Sequence, residues 1–261
     1  LKDASPANYR NFQRITIWLA CSGAFWIAGG LSEGPVRFTL WLIALGIEYV
    51  GPAVGFRVMG LGRSLTGDWN VEGGHLAERC ALFIIIALGE SVIMTGATAA
   101  KLPPTAVNLS AFLNSFLSTV AMWWIYFHIG AERASRHIAR SDDPGRIARI
   151  AYTYLHVLLV AGIILVAVGD ELVIAHPLGH TDAKTAIAVV AGPAFYLLGN
   201  LLFKRTTAGW YPLSHLVGLA LLALLVPAWA VLPPLGFSLG ATAILILVAA
   251  WEAISLRPKE A

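Results

Sequence analysis

Charged residues are scarce in this chain, because Asp, Glu, Lys and Arg make up only 13% of its 261 residues. Soluble domains carry about 25% charged residues, so this scarcity excludes an ordinary soluble protein. Hydrophobic residues account for 57% of the chain, and they form apolar runs of about 20 residues, the length at which an α-helix crosses a bilayer. The composition therefore predicts an all-α, polytopic integral membrane protein.

Cysteines and catalytic motifs are also nearly missing. The chain has two cysteines, Cys21 and Cys80, in different apolar segments, which excludes a disulfide-rich fold and predicts two free thiols. No GxSxG, Walker A, HExxH or CxxC arrangement occurs, so we expect no enzymatic activity, cofactor or metal. No cleavable signal peptide is visible, and a first residue other than Met is expected of a processed or truncated product.

Eight windows are long and apolar enough to span a membrane, and they predict a single transmembrane helical domain over residues 1–261. The first window is short and Pro234 separates the last two closely, so seven or nine spans are alternatives. The windows are residues 15–31, 38–59, 76–99, 106–129, 150–173, 183–203, 213–231 and 235–254.

The basic residues predict how these spans are oriented. Of the eighteen Lys and Arg residues, fifteen fall on one side of the predicted spans, and three (Arg37, Lys101 and Lys184) fall on the other. Because Lys and Arg mark cytoplasmic loops, we expect both ends of this chain to lie in the cytoplasm. The basic residues form no single stripe, which excludes nucleic acid as a partner. The expected partners are the lipid bilayer and a small solute or lipid. A homo-oligomer and missing N-terminal helices remain open.

Two acidic residues lie inside predicted spans. Glu48 precedes Gly51 and Pro52, which we expect to break the second helix, and Glu90 with Ser91 lies near the middle of the third. A carboxylate in hydrocarbon is costly unless it is protonated, paired or hydrated, so these residues are candidates for transport and proton coupling. If Glu48 and Glu90 face each other, they share a proton. The alternative for Glu48 is a neutral, hydrogen-bonded residue that locks two helices together.

A second polar group is expected at the cytoplasmic mouth of the helices. His75, Glu78 and Arg79 open the third span, and His128 and His156 lie near the same mouth on the fourth and fifth. Histidine and glutamate at this spacing make a metal site an alternative, but single histidines at helix ends are more often interfacial hydrogen-bonding residues. We predict a polar cluster there without a metal.

Several segments of the chain resemble one known family. Residues 75–79 (HLAER), followed by residues 82–92 (LFIIIALGESV), resemble the core motif of the bacterial low temperature requirement A (LtrA) family. Further matches lie at residues 47–49, 51–52, 60–64, 123–127, 154–156 and 161–163. An ELFFDL-type segment is missing, so the chain resembles the C-terminal two-thirds of such a protein, and its last third resembles the family only in hydropathy. The resemblance implies a multi-pass cytoplasmic-membrane protein linked to growth in the cold. It implies no established substrate or reaction.

Three functions compete at this point. Buried acids beside a helix broken by Gly and Pro favour a proton-coupled transporter or permeation protein. The cytoplasmic polar cluster would instead suit an integral-membrane enzyme or lipid-handling protein. The third candidate is a membrane sensor or scaffold that transports nothing. In such a protein the polar residues would only fix helix packing.

Overall fold

The computed structural model describes residues 6–66, 72–128 and 130–255, and within these ranges the chain is helical and has no strand. This confirms the predicted all-α fold. A π-helical segment, Ala148–Tyr154, leads into the seventh helix, and a 3-10 turn, Val226–Ala230, follows the ninth. The α-helices are α1 (Pro6–Gly30), α2 (Gly34–Ala53), α3 (Gly73–Ala99), α4 (Ala106–Phe127), α5 (Gly130–Ala139), α6 (Pro144–Ile147), α7 (Leu155–Ala175), α8 (Ala183–Ala208), α9 (Leu213–Leu225) and α10 (Pro234–Ser255).

Each of the eight predicted spans coincides with helical structure. Within the described ranges, seven helical stretches are long and apolar enough to cross a membrane, which makes the chain a multi-pass membrane protein. They are α2, α3, α4, the stretch Pro144–Ala175, α8, the stretch Leu213–Ala230, and α10. Helix α1 covers the first predicted span but is not among the seven, because it includes Arg10, Arg14 and many small or polar residues.

Local capping interactions fix several helix ends. The side chain of Thr105 accepts a hydrogen bond from the backbone N–H of Asn108 (3.2 Å) at the start of α4, and Asp182 accepts one from Thr185 (2.8 Å) at the start of α8. Hydrogen bonds from the Thr185 side chain and backbone hold the pKa of Asp182 below its ordinary value. Helix α8 ends at Ala208, and the next residue, Gly209, has a φ of 83°, the left-handed conformation that favours glycine after a helix.

The helices form two compact units. Unit 1 consists of Leu1–Glu72 and Ser141–Arg149, and unit 2 consists of Gly73–Arg140 and Ile150–Ala261. The single domain that the sequence predicts over residues 1–261 stays a prediction.

Unit 1 is built around the hairpin of α1 and α2. The rings of Trp26 and Trp41 lie 6.1 Å apart between the two helices, and Gly29 packs against Trp41 so closely that a Cβ there would meet its ring. The loop after α2 is held to α1 by Arg14, which donates a hydrogen bond from Nε to the carbonyl oxygen of Leu61 (2.9 Å). These contacts hold α1, α2 and the following loop together as one folded segment.

Unit 2 contains the largest apolar core, and its closest helix pair is α7 with α8. Glycines from both helices make this approach possible, since a Cβ on Gly162 would lie 2.6 Å from the backbone nitrogen of Tyr196, and one on Gly192 would lie 2.6 Å from that of Val166. Small residues serve the same purpose in membrane helices generally, because they let two backbones come into van der Waals contact. Fully buried core side chains include Ile84, Met122, Leu159, Leu197, Phe237 and Leu245.

Candidate functional site

Glu48 is a half-buried residue that joins the two helices of unit 1. Its Oε1 accepts hydrogen bonds from the Ser22 hydroxyl (3.0 Å) and from the indole N–H of Trp26 (2.8 Å). Both donors lie on α1, about one helical turn apart, while Glu48 lies on α2. This geometry matches the helix-locking alternative for Glu48. Since Glu90 belongs to unit 2, proton sharing between the two acids stays a prediction.

Gly51 and Pro52 lie in the last turn of α2, which ends at Ala53. The predicted second span continued to residue 59, with a bend in its interior. The structure instead ends the helix here, and the chain turns at Gly55 and Phe56, both with positive φ. The carbonyl oxygen of Pro52 accepts a hydrogen bond from Arg149 Nη1 (3.3 Å).

Glu90 and Ser91 lie on the wall of an apolar groove between α3 and α7, here called the Glu90 groove. Glu90 is exposed, whereas Ser91 is buried and its hydroxyl has no hydrogen-bond partner among the described residues. One further acid, Glu171, lines the same groove from α7. The groove therefore combines two carboxylates with aliphatic and aromatic walls. Its apolar lining includes Phe83, Ile86, Met94, Val160, Ile164 and Val168.

The polar cluster predicted around His75 separates into different environments. His75 and Glu78 form an exposed pair, with 3.8 Å between Nδ1 and Oε2, and Arg79 is exposed as well. His128 stacks on the ring of Trp124 instead, at 5.2 Å between ring centroids.

The buried His156 belongs to an aromatic cluster of unit 2. It shares a hydrogen bond with the Tyr126 hydroxyl (2.9 Å) and contacts the carbonyl oxygen of Ala151 (2.8 Å), which lies in the π-helical segment. Over the described ranges, no three His, Cys, Asp or Glu side chains come close enough to hold a metal ion. The absence of a metal stays a prediction.

A buried charged group that the sequence did not indicate lies where α8, α9 and α10 meet. Lys204 Nζ donates a hydrogen bond to Glu252 Oε2 (2.6 Å) and a second to the carbonyl oxygen of Ile125 (3.1 Å). The other carboxylate oxygen, Oε1, lies 3.6 Å from Nδ1 of His215. Side-chain exposure is 9% for Lys204, 4% for Glu252 and 0% for His215. We call these three residues the Lys204 network.

The network continues along one face of α8. Tyr196, Asn200 and Lys204 are spaced by four residues, so they lie above one another on the helix. We call these residues the α8 row. The Tyr196 hydroxyl donates to the carbonyl oxygen of Met122 (2.6 Å), and Asn200 Nδ2 donates to the carbonyl oxygen of Tyr196 (3.2 Å). Asn200 Oδ1, Glu252 Oε1 and His215 Nε2 have no hydrogen-bond partner in the described part of the chain. The α8 row and the Lys204 network thus keep unpaired polar atoms inside an apolar bundle.

A second buried acid, Asp170, faces a small cavity among α4, α7, α8 and α10. We call this the Asp170 cavity, and it has room for about one water molecule. Asp170 is 5% exposed, and its Oδ2 has no hydrogen-bond partner within the described ranges. The cavity is lined by Ser118, Val166, Gly169, Asp170, Val189, Pro193, Ser238, Ala241 and Thr242.

The sequence held faint signals for both sites. Lys204 belongs to the fifteen basic residues on the predicted cytoplasmic side, and Asp170 and Glu252 fall near the ends of predicted spans. The four-residue spacing of the α8 row was the signal that could have indicated a polar face. Nothing in the sequence showed that Lys204 and Glu252, 48 positions apart, come into contact.

Comparison with known proteins identifies the family. The family model described as bacterial low temperature requirement A protein (LtrA) matches residues 1–250. The chain belongs to this family. The match also covers most of the last third of this LtrA family member, which by sequence resembled the family only in hydropathy. The α8 row, His215 and Asp170 lie within the matched residues, and Glu252 lies just beyond them.

One curated relative of this LtrA family member is a protein of Rhizobium meliloti (strain 1021) named "Uncharacterized protein RA0937". The two are 40% identical over 257 residues, which cover 97% of this chain and 62% of the relative. The chain therefore spans less than two thirds of that relative's length. No solved structure matches the chain significantly.

Proposed function

We propose that this LtrA family member is a proton-coupled transporter or permeation protein of the cytoplasmic membrane and has no enzymatic activity. The observation that carries the proposal is the polar face of α8 inside the membrane bundle. The α8 row extends over about 12 Å along the helix. The Asp170 cavity, which α8 lines with Val189, begins about 22 Å from Lys204, compared with about 30 Å for the hydrocarbon core. Buried polar and charged residues at this density mark ion and proton pathways in membrane proteins.

The Lys204 network is the part of this face best suited to exchange a proton. With Lys204 charged, Glu252 ionised and His215 neutral, the three side chains carry no net charge, and the ion pair offsets part of the cost of burying each member. A proton that enters the network on Glu252 removes the partner of the Lys204 ammonium. Lys204 is then left with the Ile125 carbonyl at 3.1 Å.

Protonation on His215 has a different result. The imidazolium would lie 3.6 Å from Glu252 Oε1 and would compete with Lys204 for the same carboxylate. Either proton position changes which groups are paired, so the network has two arrangements with different charge. A coupled transporter requires a buried group of this kind, because its two conformations must differ in proton affinity.

The Glu90 groove is our proposed place for the solute. Glu90 and Glu171 give it negative charge, and its apolar walls suit a small solute or lipid with a hydrophobic part. Glu48 is proposed to hold α1 against α2 rather than to carry protons. We keep the predicted orientation, with both ends of the chain in the cytoplasm, and we leave open a homo-oligomer or further N-terminal helices.

Proteoliposomes loaded with a pH-sensitive dye test this proposal. Acid-loaded vesicles are diluted into medium with Na⁺, K⁺ or a quaternary ammonium ion in turn, and wild-type protein should raise the internal pH with at least one of them. Glu252→Gln keeps the size of the side chain but cannot ionise, so it should slow the pH change about tenfold or more. The matched control is Glu78→Gln, which removes an exposed carboxylate and should behave as wild type.

Glu90→Gln in the same assay tests the groove. A folded variant that has lost both the flux and its pH dependence is expected if Glu90 takes part in transport. The transport proposal is contradicted if wild-type protein, shown to be folded by its cooperative thermal unfolding, gives no flux above that of empty vesicles with any of these ions. Equal rates for wild type and Glu252→Gln would remove the Lys204 network from the mechanism.

A further inference from the structure

Asp170 is a buried acid that the proposed proton exchange at Lys204 does not use. It lies on α7, and the next residue, Glu171, lines the Glu90 groove on another side of the same helix. Asp170 points into the bundle instead, where its Oδ2 has no partner among the described side chains. A buried carboxylate requires a proton, a cation or polar partners, because its charge is strongly disfavoured in an apolar environment.

Three residues with hydroxyl groups line the cavity together with this carboxylate. Ser118 on α4 and Ser238 and Thr242 on α10 all line the Asp170 cavity, and all three are buried. Asn114 donates a hydrogen bond to Ser238 Oγ (2.9 Å), which fixes that hydroxyl and leaves it a second lone pair. The available donor atoms are therefore a carboxylate and several hydroxyl oxygens.

Helix α8 adds a backbone feature to the same wall. Pro193 has no N–H, so it cannot donate the helical hydrogen bond to the carbonyl of Val189 four residues earlier. Both residues line the cavity. Carbonyls released from the helical pattern are the groups that coordinate Na⁺ in the interrupted helices of transporters.

We propose that the Asp170 cavity binds one dehydrated Na⁺ ion, held by the Asp170 carboxylate, by hydroxyl oxygens of Ser118, Ser238 and Thr242, and by the Val189 carbonyl. A single carboxylate balances a single positive charge. Divalent ions are disfavoured, since Ca²⁺ sites usually combine several carboxylates. The cavity has room for about one water molecule, so the ion enters without its hydration shell.

The number of oxygens favours a cation over a proton. A protonated carboxyl group has one O–H donor and one carbonyl acceptor, so it satisfies only part of the hydroxyls around it. A bound cation is coordinated by several oxygen atoms at once. This inference does not rest on the proposed transport, because a site can bind Na⁺ whether or not the ion crosses the membrane.

Thermal unfolding of the purified chain in detergent tests the site directly. The nine tryptophans report unfolding by fluorescence while NaCl replaces choline chloride at constant ionic strength and pH. A ligand at about a hundredfold excess over its Kd should raise the Tm of a chain of this size by about 5–10 °C. We expect a saturable rise in Tm with Na⁺. K⁺ should raise the Tm less, because K⁺ is the larger ion.

Two neighbouring acids supply the matched variants. Asp170→Asn should abolish the Na⁺-dependent rise, while Glu171→Gln, which changes the adjacent acid in the groove, should keep it. If Asp170→Asn fails to fold, Ser118→Ala combined with Thr242→Val keeps the charge, removes two ligands and should raise the Na⁺ concentration at half effect several-fold.

Three outcomes would overturn the proposal. The first is equal Tm for the wild type in Na⁺ and choline, and the second is an unchanged Na⁺ response in Asp170→Asn. The third is a Tm that rises on acidification but ignores Na⁺, which would assign the cavity to a proton. None of these measurements involves flux, so a negative result for Na⁺ binding does not contradict the proposed transport, which its own assay tests.

Discussion

At the scale of single residues, the surroundings of an acid separate its possible roles. Glu90, which the sequence favoured, is exposed on the apolar wall of a groove. Glu252, which the sequence passed over, is enclosed and bonded to Lys204 at 2.6 Å. Glu48 lies between these cases, because two donors from α1 already satisfy one of its oxygens. Only an enclosed acid with a charged partner couples its protonation strongly to its neighbours.

The ion pair between Lys204 and Glu252 gives a prediction about stability. Lys204→Met leaves Glu252 buried without its partner, and this should destabilise the protein by about 3–5 kcal/mol. The double variant Lys204→Met with Glu252→Leu removes both charges and should recover most of that loss, since apolar replacement of a buried pair is often neutral or stabilising. Unfolding in detergent, followed by tryptophan fluorescence, measures both effects.

The control for this pair is the exposed contact between His75 and Glu78. Glu78→Gln should change the free energy of unfolding by about 1 kcal/mol or less, because exposed ion pairs are weak. A double variant as unstable as Lys204→Met alone would show that the loss comes from packing rather than from an unpaired charge.

At the scale of helices, length and hydropathy predicted the helical structure and the approximate position of each span. Each predicted window became a helix because a run of about 20 apolar residues must satisfy its backbone hydrogen bonds internally in a membrane. Two features differ from the predicted windows. Helix α2 ends at Ala53 rather than at residue 59, because Pro52 and the turn at Gly55 follow. Helix α5 forms outside all eight predicted windows. Ala134 and Ile138 of α5 are buried, and a ten-residue helix of this kind leaves no transmembrane signal.

The helix glycines lead to a second prediction, in which two Gly-to-Ala changes have opposite effects on stability. Gly162→Ala should destabilise unit 2 by about 1–3 kcal/mol, because the new Cβ would lie 2.6 Å from the backbone nitrogen of Tyr196 and the helices must separate. Gly89→Ala, also inside a helix, meets nothing within 4 Å. It should stabilise by about 0.5–1 kcal/mol, because alanine is the better helix former.

Thermal unfolding of the two variants beside the wild type checks this pair. If Gly162→Ala melts as high as Gly89→Ala, the close approach of α7 and α8 is not needed for stability. A Gly162→Ser variant is a useful addition, because it adds nearly the same volume at the same position.

At the scale of the whole molecule, the sequence predicted the class but not the site. A hydropathy pattern shows which segments enter the membrane, and it does not show which faces of the helices meet there. The Lys204 network joins three helices and the Asp170 cavity joins four, so both depend on tertiary packing. The polar spacing on α8 was visible in the sequence, whereas its contact with Glu252 was not.

The last prediction concerns the number of times the chain crosses the membrane, which depends on whether α1 is a membrane span. The distribution of Lys and Arg predicts eight spans with both ends in the cytoplasm, yet α1 is less apolar than the seven helical stretches that meet the requirements of a span. If α1 crosses, Ala7 and Glu33 lie on opposite sides of the membrane.

With Cys21 and Cys80 replaced by alanine, single cysteines at Glu33 and Gly179 should react in intact cells with an impermeant maleimide, while cysteines at Ala7 and Asp142 should be protected until the cells are opened. Ala7 and Glu33 lie near the two ends of α1, and Gly179 lies between α7 and α8. Asp142 tests the long basic segment between the fourth and fifth predicted spans. Equal reactivity at Ala7 and Glu33 would remove α1 from the spans and place the two ends of the chain on opposite sides, while reactivity at Asp142 in intact cells would reverse the orientation that the basic residues predict.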